Sequence, residues 1–300
     1  ESSRHRPRRT EAPLQPRARR VLCSGPHGLH RMAYTEWGDP SNPRVLVCVH
    51  GLTRNGRDFD DLARALAGDY RVVCPDVVGR GQSDWLADPM GYSIPTYVAD
   101  MVTLLARLDT AQVDWVGTSM GGLIGLGLAA LPDSPVRKLV LNDVGPTIQP
   151  EALQRIGTYL GLPVHWATLD EAADALWAIS QGFGPHTREQ WLALTRPQLK
   201  PHGEGYKPHY DPGIAIPFRL ITPELARAGE AALWHSWDAL RIPVLLLRGA
   251  QSDLLSEGTA QAMTQRGPRA QLVEFAGVGH APMLVQPDQV DAVRSFLLQT

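Results

Sequence analysis

Apolar positions along this chain fall into brief unbroken runs separated by longer stretches with three- and four-residue spacing. RVLVCVHG (44–51), YRVVCPD (70–76), VDWV (113–116), VRKLVLND (136–143), IPVLLLRG (242–249) and AQLVEF (270–275) are rich in β-branched and aliphatic residues. Bounded by turn formers, they read as buried strands. Between them, 57–67, 96–108, 120–131, 256–264 and the closing VDAVRSFLL (290–298) read as helices. Apolar strands alternating with helices predict an α/β fold with a mostly parallel central sheet covered on both faces. Ahead of this, LHRMAYTEWGDP (29–40) reads as an early antiparallel strand pair.

The alternation stops between 145 and about 240. Helical patterns continue there without a convincing core strand, and five of the eight tryptophans fall in it: Trp166, Trp177, Trp191, Trp234 and Trp237. This stretch reads as a helical insertion on one sheet edge. Within it HGEGYKPHYDPGIA (202–215) is expected to be a polar loop. His202, His209 and Asp211 suggest a metal, but a structural loop is the better reading. The expected organisation is a tail (1–20), a core in two pieces (21–145 and 241–300) and a helical cap (146–240).

With 300 residues and 43% hydrophobic content, the chain can bury a sizeable core. The formal charge of −2 is uneven. Residues 1–20 hold seven arginines and three prolines without an apolar period, as a solvated tail would. The remainder carries 22 basic and 29 acidic residues, a balance that argues against a nucleic-acid partner. The chain opens on Glu1 rather than Met, as a processed start would. No secretory leader or bilayer-length apolar run is present, so a soluble, cytoplasmic protein without membrane insertion is expected. Cys48 and Cys74 sit in predicted strands and Cys23 stands alone. Three cysteines without a C-x-x-C pair predict neither a disulfide framework nor zinc. Nothing in the pattern sets an oligomeric state.

Chemistry concentrates in DWVGTSMGGLIG (114–125), where Gly117-Thr118-Ser119-Met120-Gly121 joins a strand to an apolar helix. G-x-S-x-G is the sharp turn that lifts a serine Oγ above a sheet, and bulky side chains at its glycines would collide. A serine hydroxyl needs a base oriented by a third group. His280, in FAGVGHAPM after strand 270–275, supplies the base. Asp253, in LLLRGAQSDLLS after strand 242–249, is the preferred carboxylate. Asp143, ending strand 136–143, competes for that role. Backbone N–H groups of Met120 and of Leu52, just past His50-Gly51, are the expected oxyanion donors, with His50 structural.

These pieces resemble the α/β-hydrolase superfamily. VHGLT, DVVGRGQSD (Asp76 to Ser83 matching D-x-x-G-x-G-x-S), GTSMGG, LNDVGP, HYDPGIA, RGAQSDLL and GVGHAPML occur in family order from about residue 28 onward. The resemblance is to capped serine esterases and meta-cleavage-product hydrolases. It implies the α/β-hydrolase fold with an inserted helical cap and a Ser119-Asp253-His280 triad. No metal or organic cofactor and a small-molecule ester substrate are implied with it. Ser119 rather than Asp at the nucleophile position separates the chain from haloalkane dehalogenases and epoxide hydrolases. His-Gly-Leu in the oxyanion loop separates it from hormone-sensitive-lipase types.

A capped triad implies a buried slot, for which Trp166, Tyr210 and Val278 are candidate lining residues. The leading expectation is carboxylic ester hydrolysis through an acyl-enzyme. Carbon–carbon cleavage of ring-fission dienoates is the alternative, and would require an arginine for the enoate, with Arg54, Arg80 and Arg219 as candidates. A ligand receptor with a vestigial triad is a third reading.

Overall fold

A computed structural model describes residues 15–300. Ten strands and ten α-helices are described. Eight strands form one sheet in the order β1-β2-β4-β3-β5-β6-β9-β10. They are β1 (Arg17–Gly25), β2 (Gly28–Trp37), β3 (Val45–Val49), β4 (Arg71–Pro75), β5 (Val113–Thr118), β6 (Val136–Asn142), β9 (Val244–Gly249) and β10 (Gln271–Phe275). The pairings β1–β2 and β2–β4 are antiparallel, and every other pairing is parallel. The mostly parallel sheet is thus as expected.

The unbroken apolar runs reflect burial on both faces. In β3, Val45, Val47 and Val49 join one core cluster, while Leu46 and Cys48 join the other. The first cluster packs α2 (Ile94–Leu108), α3 (Met120–Ala129), α8 (Pro223–Ala239) and α9 (Glu257–Gln265) against the sheet through residues such as Leu104, Ile124, Trp237 and Met263. The second packs α1 (Asp60–Leu66) and α10 (Pro287–Leu298) through Leu62, Leu66, Val293 and Phe296. All three cysteines are free and buried.

Two expectations near the N-terminus are corrected. Residues 17–20 do not belong to a tail: they open β1, whose register runs from Arg17 opposite Glu36 to Gly25 opposite Gly28. LHRMAYTEW is a single strand, and its hairpin partner lies upstream. Val21 and Cys23 bury one face of β1 while Arg19, Arg20 and Leu22 remain outside, a two-residue apolar signal too short to stand out among arginines. Of the rest of the expected tail, residues 1–14 lie outside the described residues.

Between β6 and β9 the chain leaves the sheet for α4 (Pro150–Gly157), α5 (Leu169–Ile179), α6 (Arg188–Thr195), α7 (Ala215–Arg219) and α8. This region also contains an antiparallel hairpin that the helical reading missed: β7 (Leu199–His202) and β8 (Gly205–Pro208). Gly203, at φ +59, lies in its turn. The 209–213 stretch that follows docks on the 76–83 loop, with Gly81 N donating to His209 O and Asp211 N to Gly79 O. Among the described residues, no helix is long and apolar enough to cross a membrane.

Candidate active site

The turn between β5 and α3 is tight enough to dictate its sequence. A Cβ on Gly117 would lie 2.2 Å from Gly121 O, and one on Gly121 would lie 2.0 Å from Val49 O. Ser119 adopts φ 52 and ψ −117, a region that residues with side chains rarely enter. The bend is held by Ser119 N donating to Asn142 O at 3.0 Å and Gly122 N to Ser119 O at 2.8 Å. Met120 begins α3, so its N–H belongs to the first turn, where backbone donors lack helical partners.

His280 follows β10, as expected, but its carboxylate partner differs from the preferred one. Its Nδ1 lies 2.6 Å from Asp143 Oδ2. Asp143 is fully buried and also accepts from Gly249 N at 2.8 Å and Ser252 Oγ at 2.6 Å. Three donors converge on this one carboxylate and fix its orientation. Asp253, preferred from sequence, instead pairs with Arg155: Nε to Oδ2 at 2.5 Å and Nη2 to Oδ1 at 2.9 Å. Burial opposes ionisation of Asp253. Hydrogen bonds and charge from Arg155, with the charge of His280, more than offset this and hold its carboxyl below the usual value. The physical reason for the exchange is local. β6 and β9 are neighbours, so acids after either strand can approach the histidine, and here Ser252 is the residue of the β9 loop that reaches Asp143.

Asn142 ties the two halves of the arrangement together, donating to Thr118 Oγ1 at 3.0 Å and to Pro282 O at 2.7 Å. It links the serine turn to the histidine loop. Neither Asn142 nor Ser252 was singled out from sequence. Their positions immediately before Asp143 and Asp253 were the available signal.

The loop after β3 is pinned from two sides. His50 is buried, accepts from Val77 N at Nε2 (2.9 Å) and therefore donates from Nδ1 to Gly51 O at 2.7 Å. Burial pushes its pKa down to about 3, keeping it neutral. Arg80, also fully buried, donates from Nε to Leu52 O at 2.8 Å and reaches Met120 Sδ at 3.4 Å. Both residues expected to supply oxyanion donors thus rest against one guanidinium. His50 is structural here, in line with expectation.

A cavity of about 470 Å3 opens over Ser119 and His280. Its lining combines Gly51–Arg54 and Asp58 with Arg155, Ile156, Thr158, Tyr159, Leu176 and residues 178–183 of the inserted region. Trp166, Tyr210 and Val278, expected to line it, do not. Trp166 exchanges backbone hydrogen bonds with Tyr206, the Tyr210 hydroxyl accepts from Gly161 N, and Val278 is buried in the core. None of the five inserted tryptophans lines the cavity; Trp177 and Trp191, for instance, pack edge to face with each other. Among the arginine candidates, only Arg54 lines it, and that side chain is held bidentately by Asp58. Arg219 donates to Leu160 O.

His202, His209 and Asp211 do not converge: Asp211 accepts from the Tyr92 hydroxyl at 2.6 Å and His209 pairs with Pro197 O. One trio with metal-ligand chemistry, Cys23, His30 and Asp100, has its ligand atoms within 4.8 Å of one another. Its His30–Asp100 pair is already closed at 2.8 Å, and none of the three lines the cavity.

The sequence profile of the alpha/beta hydrolase family matches residues 46–293. A 3-hydroxybutyrate-oligomer hydrolase from Cupriavidus necator is 60% identical over 94% of this chain and 97% of its own length. Esterase YbfF of Escherichia coli is 28% identical over 85% of this chain and 94% of its own. A crystal structure of an alpha/beta hydrolase from Novosphingobium aromaticivorans superposes with a TM-score of 0.82 at 39% identity, covering 94% of this chain and 98% of that one. By profile, sequence and architecture together, the chain belongs to the alpha/beta hydrolase family.

Proposed function

We propose that this chain, a carboxylic ester hydrolase, cleaves short oligoesters of 3-hydroxybutyrate through Ser119, His280 and Asp143, beneath a cap formed by residues 146–240. The observation that carries the catalytic assignment is the 2.6 Å His280–Asp143 hydrogen bond. It stands in a cavity lined also by Ser119, at the apex of a turn that only glycines permit. The substrate class is supported by the 60% identity to a 3-hydroxybutyrate-oligomer hydrolase across nearly the whole chain. It is also supported by a cavity of about 470 Å3 whose apolar lining includes Leu52, Ile156, Leu176 and Met283. That volume falls in the roughly 300–1,000 Å3 range of small-molecule sites.

Asp143 fixes the Nδ1–H tautomer of His280, leaving Nε2 to accept the Ser119 proton. Ser119 Oγ bonds to the ester carbon, and the carbonyl oxygen, now an anion, faces the Leu52 and Met120 N–H groups. The Gly51–Leu52 peptide is suited to this role: His50 holds its carbonyl oxygen, which polarises the N–H at its other end. Collapse breaks the bond to the leaving oxygen, which takes the proton from His280 Nε2 and departs as an alcohol. Water then repeats the sequence on the acyl-enzyme and releases the acid. Ester plus water thus becomes alcohol plus acid.

The test is chromatographic. Purified wild type should convert the linear 3-hydroxybutyrate dimer and trimer to monomer, and Ser119→Ala should not. Hydrolysis of p-nitrophenyl butyrate with no conversion of the dimer or trimer would reject the substrate class. Retained turnover in Ser119→Ala would reject the nucleophile.

A further inference from the structure

Two ion pairs line the cavity, and they differ in character. Arg54 and Asp58 are 13% and 7% exposed, Gln198 also donates to Asp58, and Arg54 lies over the Phe183 ring at 5.4 Å. That pair is a closed strut. Arg155 and Asp253 are 35% and 38% exposed, and both line the cavity, one from α4 and the other from the loop after β9. An ion pair this open adds little to stability. A guanidinium carries five N–H donors, of which Asp253 takes one on Nε and one on Nη2. Tyr159, four residues on, also lines the cavity.

We propose that Arg155, oriented by Asp253, binds the free carboxylate of the departing hydroxyacid unit, so that the enzyme trims oligoesters from the carboxyl end. The proposal rests on the oligoester reading above. Its chemistry follows from the substrate's length. In a 3-hydroxybutyrate oligoester, the last ester oxygen and the terminal carboxylate are joined by only two carbons. His280 must protonate that oxygen as it leaves, so the carboxylate has to settle beside His280. The Arg155–Asp253 pair is placed for this, since Arg155, Asp253 and His280 line one cavity. Before substrate enters, Asp253 neutralises the guanidinium. Once it enters, the carboxylate uses donors that Asp253 leaves over, in the bidentate geometry that suits arginine and not lysine.

The experiment compares the linear dimer as free acid with its methyl ester, following cleavage of the internal ester by chromatography, with p-nitrophenyl butyrate alongside. Wild type should favour the free acid by about tenfold or more in kcat/KM, the scale of a hydrogen bond to a charged group. Arg155→Gln should erase that preference, chiefly through KM for the free acid, and Arg155→Lys should restore it in part. Reading the ratio within each variant cancels any general damage. No free-acid preference in wild type, or a preference that survives in Arg155→Gln, overturns the subsite while leaving the oligoester reading intact. Failure to cleave either dimer, with p-nitrophenyl butyrate turned over, overturns both.

Discussion

Replacing each of two aspartates by asparagine separates the two acids that compete for His280. Asp143 accepts hydrogen bonds from Gly249 N, Ser252 Oγ and His280 Nδ1, all at 2.6–2.8 Å. An asparagine offers one oxygen and one NH2 in their place. With the oxygen kept on Gly249 N–H, the NH2 faces Ser252 and His280. The imidazole must then carry its proton on Nε2, where it can no longer take one from Ser119. Trapping the wrong tautomer in such a triad costs about 10^3–10^4 in kcat, or about 4–5 kcal/mol in the barrier. Asp253→Asn removes only a part-exposed pair with Arg155. On p-nitrophenyl butyrate, which has no carboxylate, it should lower kcat by no more than about threefold, in keeping with the weakness of exposed ion pairs. Initial rates for both variants, with thermal melts confirming that each folds, decide the matter. A collapse of kcat in Asp253→Asn with near-normal turnover in Asp143→Asn would refute the reasoning.

Other perturbations give equally definite expectations. Ser252→Ala removes one of the three donors on Asp143, as well as the acceptor for Leu254 N and Leu255 N; kcat should fall by about tenfold, and an unchanged value would show that Asp143 needs no such support. Gly121→Ala puts a methyl group 2.0 Å from Val49 O, so stability should drop by more than about 3 kcal/mol, with a normal melting temperature as the contrary result. Burial holds the pKa of His50 near 3 in the folded chain against an ordinary 6.5. Its contribution to stability is therefore complete above pH 6.5 and lost as pH falls toward 3. Burial raises Asp76 from 3.8 to about 6, which acts in the opposite sense as pH falls through 6. Melting temperatures between pH 6.5 and 4 should thus decline less in His50→Gln than in wild type, and equal slopes would contradict this assignment.

Much of this arrangement is legible in the sequence because its constraints are local. Gly117 and Gly121 are demanded by the crowding of one turn, and the two-faced burial of β3 and β9 makes their apolar runs continuous. The acid is harder to read because the deciding geometry is not local. Asp143 and Asp253 follow neighbouring strands and both stand between Ser119 and His280 in the chain, and the choice turns on which carboxylate reaches the histidine, here Asp143, with Ser252 of the β9 loop supporting it. The cavity wall is harder still: Arg155 and Tyr159 lie on α4 and the turn after it, whose docking no periodicity reveals, whereas the conspicuous tryptophans are used in packing. The β7–β8 hairpin is hidden by four-residue strands that include prolines and lysines, and β1 by its arginines.

The central claim is that Ser119 is a nucleophile activated by His280 and Asp143. Reaction with a fluorophosphonate, followed by intact mass and peptide mapping, tests it most directly. The account predicts one adduct per chain, on Ser119, formed rapidly by wild type and far more slowly by Asp143→Asn. An adduct on another residue, no adduct on folded wild type, or labelling that Asp143→Asn leaves undiminished would contradict it.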